Sequence, residues 1–215
     1  MSGVGESRFA FYQPDVVFFR HSIERGLAGF FRRTKLLELA DKKILEVGCG
    51  WGNWLLLFLS WGARAENLCG IDLLPERVET ARQRLPKSEI VLGRAEKLPW
   101  TVESFDLVFQ FTLFSSIVSP PSRQEAAQEI WRVLKPGGHF VSFDYFISHP
   151  ANPNTVGIGK RELVQLFPDA SFHFRRLGVF PPLARRLAPL SVSLVHLFEK
   201  TRILSGHCLA WSIKK

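Results

Sequence analysis

Glu46-Val47-Gly48-Cys49-Gly50-Trp51-Gly52 and, twenty positions after Gly52, Asp72 are the residues whose types and spacing can do chemistry. Glycines at alternate positions let a ligand approach the backbone, and a helix starting behind them offers free N–H groups. An acid at the end of a following strand can accept both ribose hydroxyls of a nucleoside-like ligand. The pattern is GxGxG: Asn53 stands where a dinucleotide fingerprint needs glycine or alanine. Glu46 is awkward beside a pyrophosphate but suits a cation. The residues therefore favour S-adenosylmethionine (SAM), which carries an ammonium group, over NAD.

Positioning these groups takes alternating strands and helices. Apolar residues at three- and four-residue spacing predict a helix over Asp15–Ala40. Strands are expected at Lys43–Gly48, Leu68–Ile71, Glu89–Leu92, Ser104–Phe111 and His139–Tyr145. Helices are expected at Trp51–Trp61, Pro75–Arg84 and Ser122–Leu134, the last with capping-box spacing of Ser122 and Glu125. The tail reads as a helix over Lys160–Phe167, a strand over Ser171–Val179, one helix within Pro182–Glu199 and a final strand over Gly206–Lys214. Such alternation with short loops argues a parallel sheet covered on both faces.

From Ile44 to Phe146 the residues resemble the class I SAM-dependent methyltransferases, particularly the type 11 group. Ile44–Gly52 matches the glycine motif, and Asp72-Leu73 the ribose-binding acid with its adenine-packing neighbour. Gly93-Arg94-Ala95-Glu96-Lys97-Leu98-Pro99 is similar to the adenine-edge loop, Phe105–Val108 to the fourth strand, and Leu134–Gly138 to the turn before the fifth. The resemblance implies a Rossmann-like, doubly wound α/β fold with helices on both faces. Its seven-stranded sheet would be mostly parallel, with the last strand antiparallel. It also implies SAM as cofactor and S-adenosylhomocysteine as product. The cofactor-binding residues would be Glu46, Gly48, Cys49, Gly50, Gly52, Asp72, Leu73, Ala95, Glu96 and Gln110. One position departs from the pattern. Arg94 stands where the family usually carries an Asp that accepts from the adenine amino group, and Arg has donors only. Glu96 or a backbone carbonyl must serve instead.

The expected activity is methyl transfer to a small-molecule acceptor, with oxygen favoured over nitrogen. The end of the fourth strand, Gln110–Ser116, lacks the Asn/Asp-Pro-Pro-aromatic motif of enzymes that act on base nitrogens or glutamine amides. Asp144, Tyr145 and His149, at or beyond the fifth strand, are the candidate catalytic residues. Tyr12 is a candidate lid residue. Alternative readings are a cofactor-binding protein without activity, an enzyme for an anionic or lipid-linked acceptor, and, least favoured, an NAD-dependent oxidoreductase.

Composition narrows the remaining classes. With 46% hydrophobic and 22% charged residues, the chain is not intrinsically disordered. Its 28 basic against 20 acidic residues give a net charge of +8, concentrated in the tail, which suits an anionic acceptor or peripheral membrane contact. No nucleic-acid module is recognisable. Three scattered cysteines exclude a disulfide framework, and no His/Cys cluster has metal spacing. The first residues carry no apolar run of signal-peptide type, and no transmembrane run follows, so a cytoplasmic protein is expected. One domain spanning 1–215 is expected, with 1–40 as a helical lid and 150–215 as acceptor-side elements.

Overall fold

A computed structural model of the protein describes residues 12–146, 155–179, 181–201 and 205–215. Seven strands form one sheet in the order β3-β2-β1-β4-β5-β7-β6. They are β1 (Ile44–Val47), β2 (Leu68–Asp72), β3 (Glu89–Leu92), β4 (Phe105–Phe111), β5 (Leu134–Tyr145), β6 (His173–Leu177) and β7 (His207–Ile213). The β3-β2-β1-β4-β5 pairs are parallel, whereas β7 is antiparallel, as the resemblance implies. At its far end β7 exchanges reciprocal bonds with β5: Gly137 N–H donates to the Lys214 carbonyl at 2.8 Å, and Lys214 N–H to that of Gly138 at 3.0 Å.

β1 and β2 are buried at every position and are apolar except for Glu46 and Asp72, as strands covered on both faces should be away from a site. The described helices are α1 (Pro14–Thr34), α2 (Asn53–Ser60), α3 (Pro75–Arg84), α4 (Leu113–Ser116), α5 (Pro120–Val133), α6 (Lys160–Leu166), α7 (Pro181–Leu187) and α8 (Val192–Thr201), and helices cover both faces of the sheet. The fold is therefore Rossmann-like. No described helix is long and apolar enough to cross a membrane.

The described chain divides into two compact units: Met1–Lys35 with Arg175–Leu209, and Leu36–Phe174 with Ala210–Lys215. The larger unit has a core of sheet and α5 residues, among them Leu45, Val108, Ala127, Ile130 and Phe140. In the smaller, Phe18 of α1 packs with Val179, Ala184, Ala188 and Val195.

Four elements differ from the sequence expectation. The first helix stops at Thr34 rather than Ala40, because Lys35 takes a left-handed conformation (φ 57°) and leaves Leu37 68% exposed. Capping of α5 falls to Ser119, whose hydroxyl accepts from Ser122 N–H, and two prolines fill the first turn. The fifth strand begins at Leu134, since Gly137 (φ 75°) absorbs the turn within it and lets the Lys-Pro-Gly-Gly stretch join the ladder. The single helix expected within Pro182–Glu199 is two, α7 and α8, separated by a turn in which Leu190 and Ser191 N–H groups both donate to the Leu187 carbonyl.

Candidate active site

Strand order reverses between β1 and β4, the crevice where open α/β sheets bind ligands. The chain leaving β1 there turns through three left-handed glycines, Gly48, Gly50 and Gly52 (φ 77°, 52° and 73°), so the alternate spacing is a backbone requirement. Ile71 of β2 fixes the turn: its carbonyl accepts from Gly48 N–H at 2.8 Å and from Cys49 N–H at 2.9 Å. A Cβ on Gly52 would meet Leu85 Cδ1 at 2.9 Å, whereas one on Gly50 would meet nothing within 4 Å. Gly52 thus serves packing, and Gly50 borders open space.

Asp72 locks the other side. Its Oδ2 accepts from Gly50 N–H at 2.8 Å and its Oδ1 from Leu74 N–H at 3.1 Å. A carboxylate has about four acceptor sites, so each oxygen keeps a lone pair for a ligand hydroxyl. Glu46 is 1% exposed, and among the described residues no hydrogen bond reaches its Oε2. Burial, and then the charge of Asp72, push its carboxyl well above the usual range, with a backbone bond from Leu55 partly opposing. A cation placed at Glu46 would remove that penalty. Cys49 is buried too, and its thiol is pushed up by burial and then by Glu46 and Asp72.

The cleft holds about 460 Å³. Gly48, Asp72, Leu73, Ala95 and Glu96 line it, half of the ten cofactor residues expected from the sequence. Arg94 lines it as well, 63% exposed, donating from Nη2 to Glu96 Oε1 at 2.8 Å. Glu46, Cys49, Gly50, Gly52 and Gln110 are not on the wall. Gln110 points inward: its Oε1 accepts from Leu113 N–H at 2.8 Å, and its Nε2 donates to Ser142 Oγ at 2.6 Å and Asp144 Oδ2 at 3.1 Å.

Asp144 sits beneath α4 and not on the cleft wall. Its carboxylate accepts from Ser115 N–H, Gln110 and Tyr145 N–H. Burial raises its carboxyl to about 6, against hydrogen bonds from Ser115 and Gln110 that lower it. Tyr145 is half-buried beside it, and its carbonyl accepts from Ile158 N–H at 2.8 Å. His149 lies outside the described residues. The lid candidate Tyr12 is 64% exposed.

Sequence reasoning missed Arg77, Thr112, Leu113 and Ile117 on the wall. Thr112 adopts a left-handed conformation (φ 58°) without being glycine, and this swings α4 over the end of β4. Nothing in the spacing marks that turn. Arg77 was findable, because it lies in the helix that follows the ribose-type acid; it stacks over the Trp51 ring at 4.9 Å.

The residues fit a ligand with one cationic group, a diol and a flat ring: Glu46 Oε2 has no hydrogen-bond partner among the described residues, Asp72 has spare lone pairs, and Gly50 leaves room. Residues 44–138 match the family model described as a methyltransferase domain. Over those residues the chain carries a methyltransferase domain. The chain is 32% identical over 139 residues to a phthiotriol/phenolphthiotriol dimycocerosates methyltransferase of Mycobacterium leprae, covering 64% of this chain and 50% of that protein. A sterol 4-C-methyltransferase of Caenorhabditis elegans is 30% identical over 115 residues, covering 50% of this chain and 33% of its own length. The chain spans half or less of these two relatives' lengths. Among solved structures, geranyl diphosphate C-methyltransferase of Streptomyces coelicolor A3(2) superposes with a TM-score of 0.67 at 16% identity, covering 91% of this chain and 79% of that one. At that identity the likeness is one of fold.

Proposed function

We propose that the protein transfers a methyl group from SAM to a small, apolar or lipid-like acceptor. The observation that carries this reading is Glu46, a buried carboxylate whose Oε2 has no partner among the described residues, two positions before a glycine turn already tied to Asp72. When bound, SAM supplies an electrophilic methyl group on a sulfonium. Glu46 would hold the cofactor's ammonium, Asp72 its ribose hydroxyls, and Leu73 and Ala95 the faces of its adenine. Glu96 would accept from the adenine amino group in place of the usual Asp.

Methyl transfer from a sulfonium needs alignment above all, with a base only where the acceptor proton is held tightly. Asp144 is read as a positioning residue. It holds Gln110 and Ser115, and through them the start of α4, whose Leu113 and Ile117 neighbour form an apolar stretch of the wall. That stretch, with Phe111 and Val118, supports an apolar acceptor, as do the substrates in the names of the two curated relatives. Oxygen is proposed over nitrogen because Gln110–Ser116 lacks the Asn/Asp-Pro-Pro-aromatic motif. The N-terminal segment and residues 150–215 are assigned to the acceptor side.

Calorimetry with S-adenosylhomocysteine and NAD tests the cofactor. Binding of the former, weakened by Glu46→Gln, is expected; NAD binding instead would overturn the reading. A gain of one methyl mass on a lipid-like acceptor incubated with SAM tests the transfer.

A further inference from the structure

The smaller unit contains a cavity of about 500 Å³ whose described walls carry Arg25, Arg175, Arg176 and Lys200, with His196 at its side and Glu199 as the one carboxylate. Among the described lining residues four cations thus stand against one acid. Low-dielectric walls around cations that converge on one concavity focus their field into it.

The acid is part of the frame. Glu199 Oε1 accepts from the Ser22 hydroxyl and from Gly178 N–H at 3.1 Å, and its Oε2 accepts from Arg25 Nη2 at 2.7 Å, with His196 Nδ1 at 3.5 Å. Burial opposes its ionisation, yet the Ser22 bond and the Arg25 charge hold its carboxyl below the usual range. Both oxygens are thus committed to one end of the cavity, and Ser22 is itself 1% exposed. Arg175 crosses α1 where the helix has no side chain: a Cβ on Gly29 would sit 2.5 Å from Arg175 Nη1. The cations come from α1, β6 and α8, so the fold converges them from positions far apart in the chain.

We propose that this cavity is a binding site for a phosphate monoester or diphosphate group. Planar guanidinium forks match phosphate oxygens two at a time, and a lysine ammonium adds a point charge. The volume exceeds that of one phosphate and accommodates a diphosphate or a phosphate with the neck of its carrier. The site lies wholly within the smaller unit, and its test is binding alone without SAM, so its failure would leave the methyl-transfer reading standing.

Two sources share this chemistry, a soluble phosphorylated molecule and a phospholipid headgroup. The probes are inorganic pyrophosphate, followed by calorimetry, and vesicles of phosphatidylcholine with or without phosphatidic acid, followed by co-sedimentation. Each is applied to the full chain at low salt without SAM. The diagnostic variant is Arg176→Gln/Lys200→Gln. Its control is Arg32→Gln/Arg33→Gln, which removes the same charge from exposed positions of the same unit outside the cavity. Pyrophosphate binding that falls at least about tenfold in the first variant and less than about twofold in the second supports the site and a soluble ligand. Phosphatidic-acid-dependent sedimentation with the same pattern of loss supports it and a headgroup. Equal losses in both variants would show a diffuse field rather than a site and overturn the proposal, as would a wild type that binds neither probe. Circular dichroism confirms that each variant is folded before it is scored.

Discussion

In the cleft, seven consecutive residues from Glu46 to Gly52 supply a cation-seeking acid and three left-handed turns, and a single acid, Asp72, braces them through Gly50 N–H. In the smaller unit's cavity, Arg25, Arg175 and Lys200 come from three elements and are framed by one buried carboxylate. The first region is built on backbone conformation, which only particular residues adopt. The second is built on side-chain charge, which many surface positions carry. Ligand specificity at the cleft should therefore be brittle to single substitutions, and at the cavity graded.

The largest expected effect sits at Gly50. Gly50→Val forces a β-branched residue to φ near 52° and fills the open side of the turn, so S-adenosylhomocysteine binding should fall by more than about a thousandfold. Pyrophosphate binding should be unchanged, and a parallel loss of both would break the contrast between the regions. Asp72→Ala removes charge-assisted bonds of roughly 1.5–3 kcal/mol each, so calorimetry should show about tenfold to several-hundredfold weaker binding.

Gly52→Ala separates packing from binding within the same turn. Its Cβ would press on Leu85 at an unfavourable φ, so thermal denaturation should show a loss of about 1–3 kcal/mol, with ligand affinity in the folded protein retained.

How far the chain could be read before folding follows the same contrast. Gly48, Gly50, Gly52 and Asp72 were legible because each does something that few residue types can do. Strands β1 to β4 were legible as apolar runs between turn residues. Thr112 was not, because a left-handed threonine has no sequence signature, and with it went Leu113 and Ile117 of the wall. The division of the tail into α7 and α8 was findable, since Pro189 stands in the turn between them, but Leu187, Leu190 and Leu197 continue an apolar pattern across it. The basic tail was visible as composition. Its convergence with Arg25 of α1 was not, since no spacing rule links positions so far apart.

Asp144 gives the cleft a pH signature. A carboxyl raised to about 6 in the folded state and near 3.8 unfolded binds protons more tightly when folded, so stability falls as pH rises between those values and levels off above. Glu46 is raised as well and acts in the same direction. In Asp144→Asn that share of the fall should vanish. Urea midpoints at about pH 4 and about pH 7 check it, and the difference between the two proteins should shift toward the variant by on the order of 1–3 kcal/mol. A constant difference would place the titration elsewhere.

The smallest effect is expected at Arg94. Its ion pair with Glu96 is exposed on the arginine side and worth little, so Arg94→Ala should leave the fold stable. Freeing the Glu96 carboxylate for the adenine amino group should tighten S-adenosylhomocysteine binding by about two- to fivefold. Weaker binding would show that Arg94 itself touches the ligand.

All three cysteines are buried, none is in a disulfide, and two of them carry thiols pushed up by burial, Cys69 to about 12. A thiol so protonated and so covered reacts with an alkylating reagent only when its surroundings open. Cys49 lies inside the glycine turn, Cys69 in the neighbouring strand and Cys208 in the other unit. Labelling rates followed by mass spectrometry would thus clock the local opening of each unit separately, with no introduced probe. A ligand that braces the turn should slow the clock at Cys49 while the one at Cys208 keeps its pace.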